Sequence, residues 1–328
     1  MVNLNKLKII SLIGVFLAFS VVALGAWTRL VDAGLGCPDW PGCYGFVWMP
    51  TTEAEISQAN ALYPERKFEV EKAIPEVVHR YFAASLGLLA IFLLFISVKE
   101  KKHILTSSLL LAIIIGQGIF GYLTVSLKLH PLIVTTHLFG AMITTSIFLV
   151  IFLRSLKLQH NFEILKANRH LIIIGFVLII FQIFLGAWTS TNYAARACLD
   201  LPYCQGELIP NTNFKEAFNL FQTIGPNYLF GQMSNEARVA IHITHRIGAI
   251  VVFLYSLFLI FKLKSKETLP VLGAFGAILF LQVFLGINNV LSHLPLWNAV
   301  AHNIFGVMLF LCMIVIMYLS YRKVDAAK

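Results

Sequence analysis

Eight apolar segments, each about 20 residues long, constrain the fold of this chain more than any other feature. A helix of that length crosses the hydrocarbon core of a bilayer, whereas barrel strands are shorter and alternate in polarity. Only 12% of the residues are charged, about half the share in soluble proteins. The sequence therefore predicts an all-α membrane protein with eight transmembrane helices, at residues 8–27, 77–98, 104–126, 131–153, 170–190, 238–261, 269–291 and 296–320.

The positive residues predict the orientation of these helices. They form five groups on one side of an eight-helix serpentine: Lys6 and Lys8; Lys99, Lys101 and Lys102; Arg154, Lys157, Lys166 and Arg169; Lys262, Lys264 and Lys266; and Arg322, Lys323 and Lys328. The positive-inside rule places this side and both termini in the cytoplasm of a cell (inner) membrane. The net charge of +9 forms no single patch for nucleic acid. We also expect the first apolar run to remain as a helix, because it lacks the small-residue cleavage pattern of a signal peptide.

The chain is an internal duplication. Trp27, both cysteines of a pair, His79 and His137 recur about 161 to 166 positions later. This repeat predicts two homologous halves, residues 1–160 and 161–328, arranged as two pseudo-symmetric four-helix bundles.

Each half carries a Cys-x5-Cys pair in a long external loop, Cys37 with Cys43 and Cys198 with Cys204. A proline inside each pair favours a compact turn that can bring the sulfur atoms together. Two interpretations stay open, a structural staple or an exposed, reducible and redox-active disulfide. Cys312 lies in the last helix and is expected to be a small buried apolar residue.

Four histidines occupy the first two turns of alternate helices at the external face: His79, His137, His245 and His302. Ionisable side chains at membrane depth usually face the bundle and mark function. Two histidines on facing helices of one half can bind a flat metal cofactor from both sides. Zinc would require four ligands, whereas haem iron requires two axial ligands and an apolar pocket, for which the chain supplies 27 Phe.

Two further sets of residues accompany these histidines. About one turn beyond each histidine stands a small residue that leaves room for a porphyrin or for close helix packing: Ala83, Gly140, Gly248 and Gly306. Arg80 and Arg246 each follow a histidine directly. Their guanidinium groups are candidates for pairing with haem propionates, or for reaching lipid headgroups.

The halves differ at one position that matters for chemistry. Glu76 precedes His79 by three residues on the same helix face, at the expected outer start of its helix, whereas His242 occupies the equivalent place before His245. A carboxylate beside a metal cofactor can act as a base or stabilise positive charge. Its alternative role is that of a favourable acidic residue in a helix first turn. The first interpretation predicts that the first half performs the reaction and the second holds a permanent electron-transfer haem.

Three stretches give the chain a resemblance to a known family: Gly34-Leu35-Gly36-Cys37-Pro38-Asp39-Trp40-Pro41-Gly42-Cys43, Glu76-Val77-Val78-His79-Arg80 and Thr244-His245-Arg246. Together with the histidines near residues 137 and 302 and the eight-span layout, they resemble haem A synthase of the bacterial type. Members of that family oxidise the C8 methyl group of haem O to a formyl group, which yields haem A for terminal oxidases.

The resemblance implies a role for each matching residue. His79 and His137 would flank the substrate haem O, with Glu76 near its reacting edge, and His245 and His302 would ligate haem b. Cys37 and Cys43 would form a disulfide that passes electrons outward, and Cys198 and Cys204 a chiefly structural one. The implied partners are haem O synthase (protohaem farnesyltransferase), the assembly of cytochrome oxidase, the lipid bilayer and a second copy of the chain.

Two other classes remain open at this point. A diheme b-type electron-transfer protein, such as a quinol oxidoreductase subunit, explains the histidines but leaves Glu76 and the cysteines without a role. A membrane thiol–disulfide oxidoreductase uses the cysteines but leaves the histidines unexplained, and neither pair is Cys-x-x-Cys.

Overall fold

The structure, a computed structural model, describes residues 4–156 and 161–322. Eight of its helices are long and apolar enough to cross a membrane, so the chain is a multi-pass helical membrane protein as predicted. The described residues form eleven α-helices: α1 Leu4–Leu30, α2 Glu53–Leu62, α3 Val70–Lys99, α4 Ile104–Ser126, α5 Pro131–Ser155, α6 Glu163–Ala167, α7 Arg169–Thr191, α8 Phe214–Ala217, α9 Asn235–Lys262, α10 Leu269–Leu291 and α11 Leu296–Tyr321. Lys157, Lys323 and Lys328, used above to predict the orientation, and position 160 at the predicted domain boundary lie outside the described residues.

The helix bounds agree with the apolar segments to within four residues, except at the start of α3. Helices α4 and α10 have the predicted bounds, but α3 begins at Val70, seven residues before the predicted start. Its first turn contains the charged Glu71, which a hydropathy pattern excludes from a span. As a consequence Glu76 lies well inside α3, and its interpretation as a first-turn acidic residue is wrong.

One compact unit contains residues 1–155 and 220–232. Helix α1 packs against α3 and α5, and α4 packs against the same two helices, so the four long helices close a ring. Their facing sides bury an apolar core that includes Leu86, Leu93, Phe148 and Ile151. At Gly14 of α1 a Cβ atom would collide with the ring of Phe148, so the missing side chain lets α5 approach.

The segment 220–232 belongs to this unit although it follows α8 in the chain. The backbone N–H of Tyr228 donates to the carbonyl of Lys128 at 3.0 Å. The imidazole Nε2 of His130 lies 3.0 Å from the carbonyl oxygen of Gln222. The Tyr228 side chain is buried in the same place, which joins the segment to the turn after α4.

The other compact unit contains residues 156–219 and 233–328. Helix α7 packs against α9 and α11, and α10 packs against the same two, which closes a second ring of four long helices. The indole of Trp188 is fully buried, and its Nε1 donates to the carbonyl of Ala217 at 2.8 Å. This bond ties the loop helix α8 to the end of α7.

Candidate active site

The structure brings the four predicted histidines together in two pairs, one inside each unit. His79 on α3 and His137 on α5 belong to the first unit, and His245 on α9 and His302 on α11 to the second. All four side chains are partly buried. The Nδ1 atoms of His79, His137 and His302 are buried and have no hydrogen-bond partner among the described residues.

The geometry of the second pair fits a metal between two imidazoles. The ring centroids of His245 and His302 lie 6.5 Å apart, and the ring planes are inclined by 83°. Two imidazoles on opposite sides of one metal, each with its nitrogen about 2 Å from it, hold their centroids roughly 6 Å apart. Within residues 4–156 and 161–322 no three His, Cys, Asp or Glu side chains converge on a metal site. The spacing of the second pair therefore suits a planar cofactor such as haem, which supplies its own equatorial ligands.

A glycine of a neighbouring helix lies beside each imidazole. A Cβ atom added at Gly25 would lie 3.0 Å from Cε1 of His79, and one at Gly121 would lie 3.9 Å from Cε1 of His137. The corresponding distances are 3.2 Å from Gly186 to His245 and 3.1 Å from Gly286 to His302. A Cβ atom at 3.0–3.2 Å would be closer than normal packing allows, so the missing side chains of Gly25, Gly186 and Gly286 leave room for the adjacent rings. The 3.9 Å distance at Gly121 is an ordinary contact.

Three partly buried glutamines, for which the sequence predicted no role, lie on helices that pack against those bearing the histidines. The Nε2 atom of Gln182 lies 3.0 Å from Nδ1 of His245 and donates to the carbonyl of the same residue at 3.0 Å. The Nε2 atom of Gln282 lies 3.4 Å from Nε2 of His302. The Oε1 atoms of Gln117, Gln182 and Gln282 are buried without a hydrogen-bond partner in the described chain.

These glutamines change the interpretation of the small residues beyond the histidines. A Cβ atom at Gly140 would collide with the Gln117 amide, and one at Gly248 would collide with Gln182. Glutamine side chains thus occupy the space beside these two glycines. The hydropathy pattern alone could not predict this. Gly306 lies near Gln282, and Ala83 packs against the core of the first unit.

Glu76 is buried, with 5% of its surface exposed, and both of its carboxylate oxygens are engaged. Oε2 accepts a hydrogen bond from the backbone N–H of Cys37 at 3.0 Å. Oε1 lies 2.5 Å from Nη2 of Arg80, one helical turn further along α3. A buried carboxylate needs such partners, because desolvation without them is strongly unfavourable. Glu76 is therefore held in place by the cysteine loop and by its own helix.

Arg80 also binds the cysteine loop itself. Its Nη1 donates to the carbonyl of Asp39 at 2.9 Å and of Pro41 at 3.3 Å, and also to the carbonyl of Gly42. In the second unit Arg246 donates to the carbonyls of Cys198 at 3.0 Å and Tyr203 at 2.9 Å. Both guanidinium groups thus hold a loop against a helix. Propionate pairing by the same two residues stays a prediction.

Each cysteine loop closes into a tight hairpin. Cys37 and Cys43 form a disulfide with Sγ atoms 2.04 Å apart, and Cys198 and Cys204 form one at 1.96 Å. In the first loop the N–H groups of Cys43 and Phe46 donate to each other's carbonyls, at 2.9 and 3.1 Å. Tyr44 and Gly45 between them have φ values of 57° and 83°, as a type I′ turn requires. The second loop repeats this arrangement between Cys204 and Glu207.

The burial of the sulfur atoms differs from one sequence expectation. All four paired cysteines are 0–2% exposed, so the interpretation as an exposed disulfide is wrong for both pairs. An aspartate supports each hairpin, and in the second one the N–H groups of Gly206 and Gln205 hold the pKa of Asp200 below its ordinary value. Cys312 on α11 is a free thiol and only partly buried.

His242 stands where the first unit has Glu76. Its side chain is 5% exposed, and its Nδ1 has no hydrogen-bond partner within the described ranges. It lies four residues before Arg246, as Glu76 does before Arg80. The second unit thus has an imidazole where the first has a buried carboxylate paired with arginine.

Fold and site together define a multi-pass helical membrane protein with a histidine pair in each unit and an acidic residue beside one pair. The chain belongs to the COX15-CtaA family, described as cytochrome oxidase assembly protein, whose family model matches residues 8–314.

Relatives with a curated description agree over nearly the whole chain. Heme A synthase of Shewanella oneidensis is 41% identical over 312 residues, covering 92% of this chain and 93% of the relative. Heme A synthase of Flavobacterium psychrophilum is 28% identical, covering 91% and 94%. Heme A synthase of the Wolbachia of Brugia malayi is 26% identical, covering 88% and 89%. The diheme carrier and the thiol–disulfide oxidoreductase gain no support from these relatives.

Proposed function

We propose that this chain is a haem A synthase, which oxidises the C8 methyl group of haem O to a formyl group. The observation that carries the proposal is the buried Glu76 carboxylate on the helix that bears His79, in a chain 41% identical to a heme A synthase over 92% of its length. The second unit has no such carboxylate at the equivalent place, which supports a reaction site in the first unit alone.

His79 and His137 flank the substrate haem O in this proposal. Their buried Nδ1 atoms without protein partners support that role, because buried polar atoms normally find a partner. The missing side chain at Gly25 leaves the His79 ring the room to align with a planar substrate. Arg80 and the loop carbonyls keep the adjacent cysteine hairpin in contact with α3.

Glu76 acts on the methyl carbon as that carbon loses electrons. The conversion takes its oxygen from water and passes through a hydroxymethyl group and a geminal diol, which loses water. Each of its two rounds gives two electrons to an electron acceptor outside the chain. A carboxylate close to the carbon stabilises developing positive charge and accepts a proton from the incoming water. The Cys37 N–H and the Arg80 guanidinium hold the carboxylate in position for both of these roles.

His245 and His302 hold haem b, and Gln182 and Gln282 orient their imidazoles. Haem b bound there would supply an electron carrier. Hydrogen bonds to a metal-binding histidine affect the strength of metal binding, because they fix the tautomer and the orientation of the imidazole ring. The 6.5 Å separation of the two rings supports this assignment.

The proposal includes the predicted domains and surroundings. Residues 1–160 and 161–328 form two pseudo-symmetric four-helix bundles, the first for reaction and the second for electron transfer. The protein lies in the cell (inner) membrane with both termini cytoplasmic and both cysteine loops external. Haem O synthase delivers the substrate, the product serves cytochrome oxidase assembly, and copies of the chain associate.

Expression in a bacterial host that makes haem O but no haem A tests the function. We expect haem A in the extracted pigments of cells that carry the chain, and haem b together with haem A in the purified protein. Chromatography of acid–acetone extracts measures both. Haem b alone, with haem O unconverted in the membrane, would contradict the proposal and favour an electron carrier.

Gly286→Ala tests whether His302 needs the space at Gly286 to ligate haem b. A methyl group 3.1 Å from Cε1 of His302 displaces the ring, and overpacking of this kind typically destabilises by 1–3 kcal/mol. We expect haem b affinity to fall by about tenfold. Haem per protein after purification, from the pyridine haemochrome spectrum, provides the measurement.

Gly273→Ala is the matched control, since Gly273 lies on the same helix and an added Cβ there meets nothing within 4 Å. Equal haem content in the two variants would show that His302 does not depend on the space at Gly286.

A further inference from the structure

The two cysteine hairpins expose adjacent apolar side chains just beyond their turns. Val47 is 85% exposed and Trp48 is 40% exposed in the first hairpin. Leu208 and Ile209 are 72% and 88% exposed in the second. The two dipeptides stand at corresponding positions of the duplication, each four and five residues after the second cysteine of its loop. Leaving such side chains in water forfeits about 25 cal/mol for each Å² of apolar surface.

Contacts with α3 fix the depth of the first tip. The hydroxyl of Tyr81 donates to the carbonyl of Val47 at 3.0 Å. The rings of Trp48 and Tyr81 lie 5.1 Å apart between centroids. Tyr81 is part of a membrane-spanning segment that ends at Lys99. Twenty residues at about 1.5 Å each, counted back from Lys99, fill a core of about 30 Å and end near His79.

Tyr81 therefore lies at the boundary between hydrocarbon and headgroups, where Tyr and Trp concentrate. The side of α3 beyond it is open to lipid, with Phe82 40%, Leu88 70% and Phe92 50% exposed. The hairpin tip contacts Tyr81 at the outer end of this exposed side.

A further aromatic contact holds the same hairpin at that level. The ring of Trp40, inside the disulfide loop, meets the edge of Tyr122 on α4 at 6.0 Å. Trp40 is 43% and Tyr122 48% exposed, so both rings are half covered by protein. Amphipathic rings of this kind suit an environment that is apolar on one side and wet on the other.

The second hairpin is anchored at a comparable depth of its own unit. Arg246 of α9 binds the carbonyls of Cys198 and Tyr203 at the base of the hairpin. The same count of twenty residues, taken back from Lys262, ends near His242. Arg246 thus lies about one helical turn inside the boundary, and the exposed Leu208 and Ile209 follow the hairpin base that it binds.

We propose that the tips of both hairpins, Val47-Trp48 and Leu208-Ile209, insert into the boundary between headgroups and acyl chains of the bilayer and dock the cysteine loops on lipid. Lipid is the partner because the first tip contacts the outer end of the exposed side of a spanning helix. The stretch Tyr44 to Thr52 also contains no charged side chain that would meet a polar protein surface. The inference concerns the loops alone and stands apart from the proposed reaction.

Spin labelling of the full chain in phosphatidylcholine bilayers tests the proposal. Val47→Cys and Leu208→Cys are each prepared in a Cys312→Ser background, with the four buried cysteines left as disulfides. A nitroxide on each new thiol reports collisions with oxygen, which dissolves in lipid, and with a water-soluble nickel complex. We expect the oxygen-to-nickel ratio at both tips to exceed several-fold that of the water reference Ser57→Cys, on the exposed side of α2. It should approach the ratio of the lipid reference Leu88→Cys.

Two results of the spin labelling would overturn the proposal. A ratio equal to that at Ser57 would place the tips in water. Low collision rates with both reagents would show that protein, such as a second copy of the chain, covers them. Tryptophan fluorescence of the unlabelled protein provides an independent measure. The emission of Trp48 is the difference between the emission of the unmodified protein and that of Trp48→Phe. Lipids brominated near the headgroup should quench this difference emission. If that difference emission is not quenched, the first tip is not inserted.

Discussion

Replacement of Glu76 by glutamine is expected to leave haem O bound but to lower its conversion to haem A by at least about 100-fold. Glutamine has the shape of glutamate and can still accept the Cys37 N–H, so the hairpin and the histidines keep their places. It cannot accept a proton or stabilise positive charge as a carboxylate does. The purified variant should therefore contain haem O and haem b and little haem A, as measured by chromatography of the extracted pigments.

Glu71→Gln is the matched control because Glu71 lies on the same helix, in its exposed first turn. It should convert haem O at the rate of the unmodified protein. A normal rate in Glu76→Gln would remove the carboxylate from the mechanism. Loss of all haem from that variant would instead assign Glu76 to binding.

Removal of either imidazole of the second pair, in His245→Ala or His302→Ala, is expected to abolish the low-spin haem b spectrum. Each variant leaves the iron one strong axial ligand, and the remaining glutamine amide is a poor substitute. If electrons leave through this unit, the rate of haem O conversion should fall together with the low-spin haem b signal. Absorption spectra of the reduced protein, together with haem content, measure the effect.

His293→Ala is the control for the loss of a histidine, because His293 lies exposed in the turn between α10 and α11. Its spectrum should equal that of the unmodified protein. An unchanged low-spin spectrum in both His245→Ala and His302→Ala would exclude this pair as the haem b ligands. His242→Ala is a further comparison, since that residue lies on α9 beside the pair without a known role.

The internal repeat contains more of the site than the histidines and cysteines. Gln117, Gly121, Gln282 and Gly286 recur at the spacing of the histidines. Their recurrence signals a role, but only the packed helices show that glycines lie beside imidazoles and glutamines lie against them. Gln182 escaped even this signal, because the first half has Val21 at the matching position.

Contacts between distant residues account for the largest differences. The guanidinium of Arg80 was expected to meet propionates or headgroups, yet it holds carbonyls about 40 positions earlier in the chain. The segment 220–232 carries no motif that would predict its attachment to the first unit. A spacing pattern reports neighbours on one helix, and such contacts depend on how loops fold back over several helices.

The amino-acid sequence alone was sufficient to predict eight membrane-spanning segments and a duplicated set of histidines and cysteines. Apolar length, flanking charge and repetition are properties of short stretches, so they can be recognised in the sequence without knowledge of the fold. The partners of Glu76, the burial of the paired cysteines and the exposure of the hairpin tips required the folded chain. Each depends on hydrogen bonds and burial that form only when segments far apart in the chain pack together, and no local pattern encodes those distances.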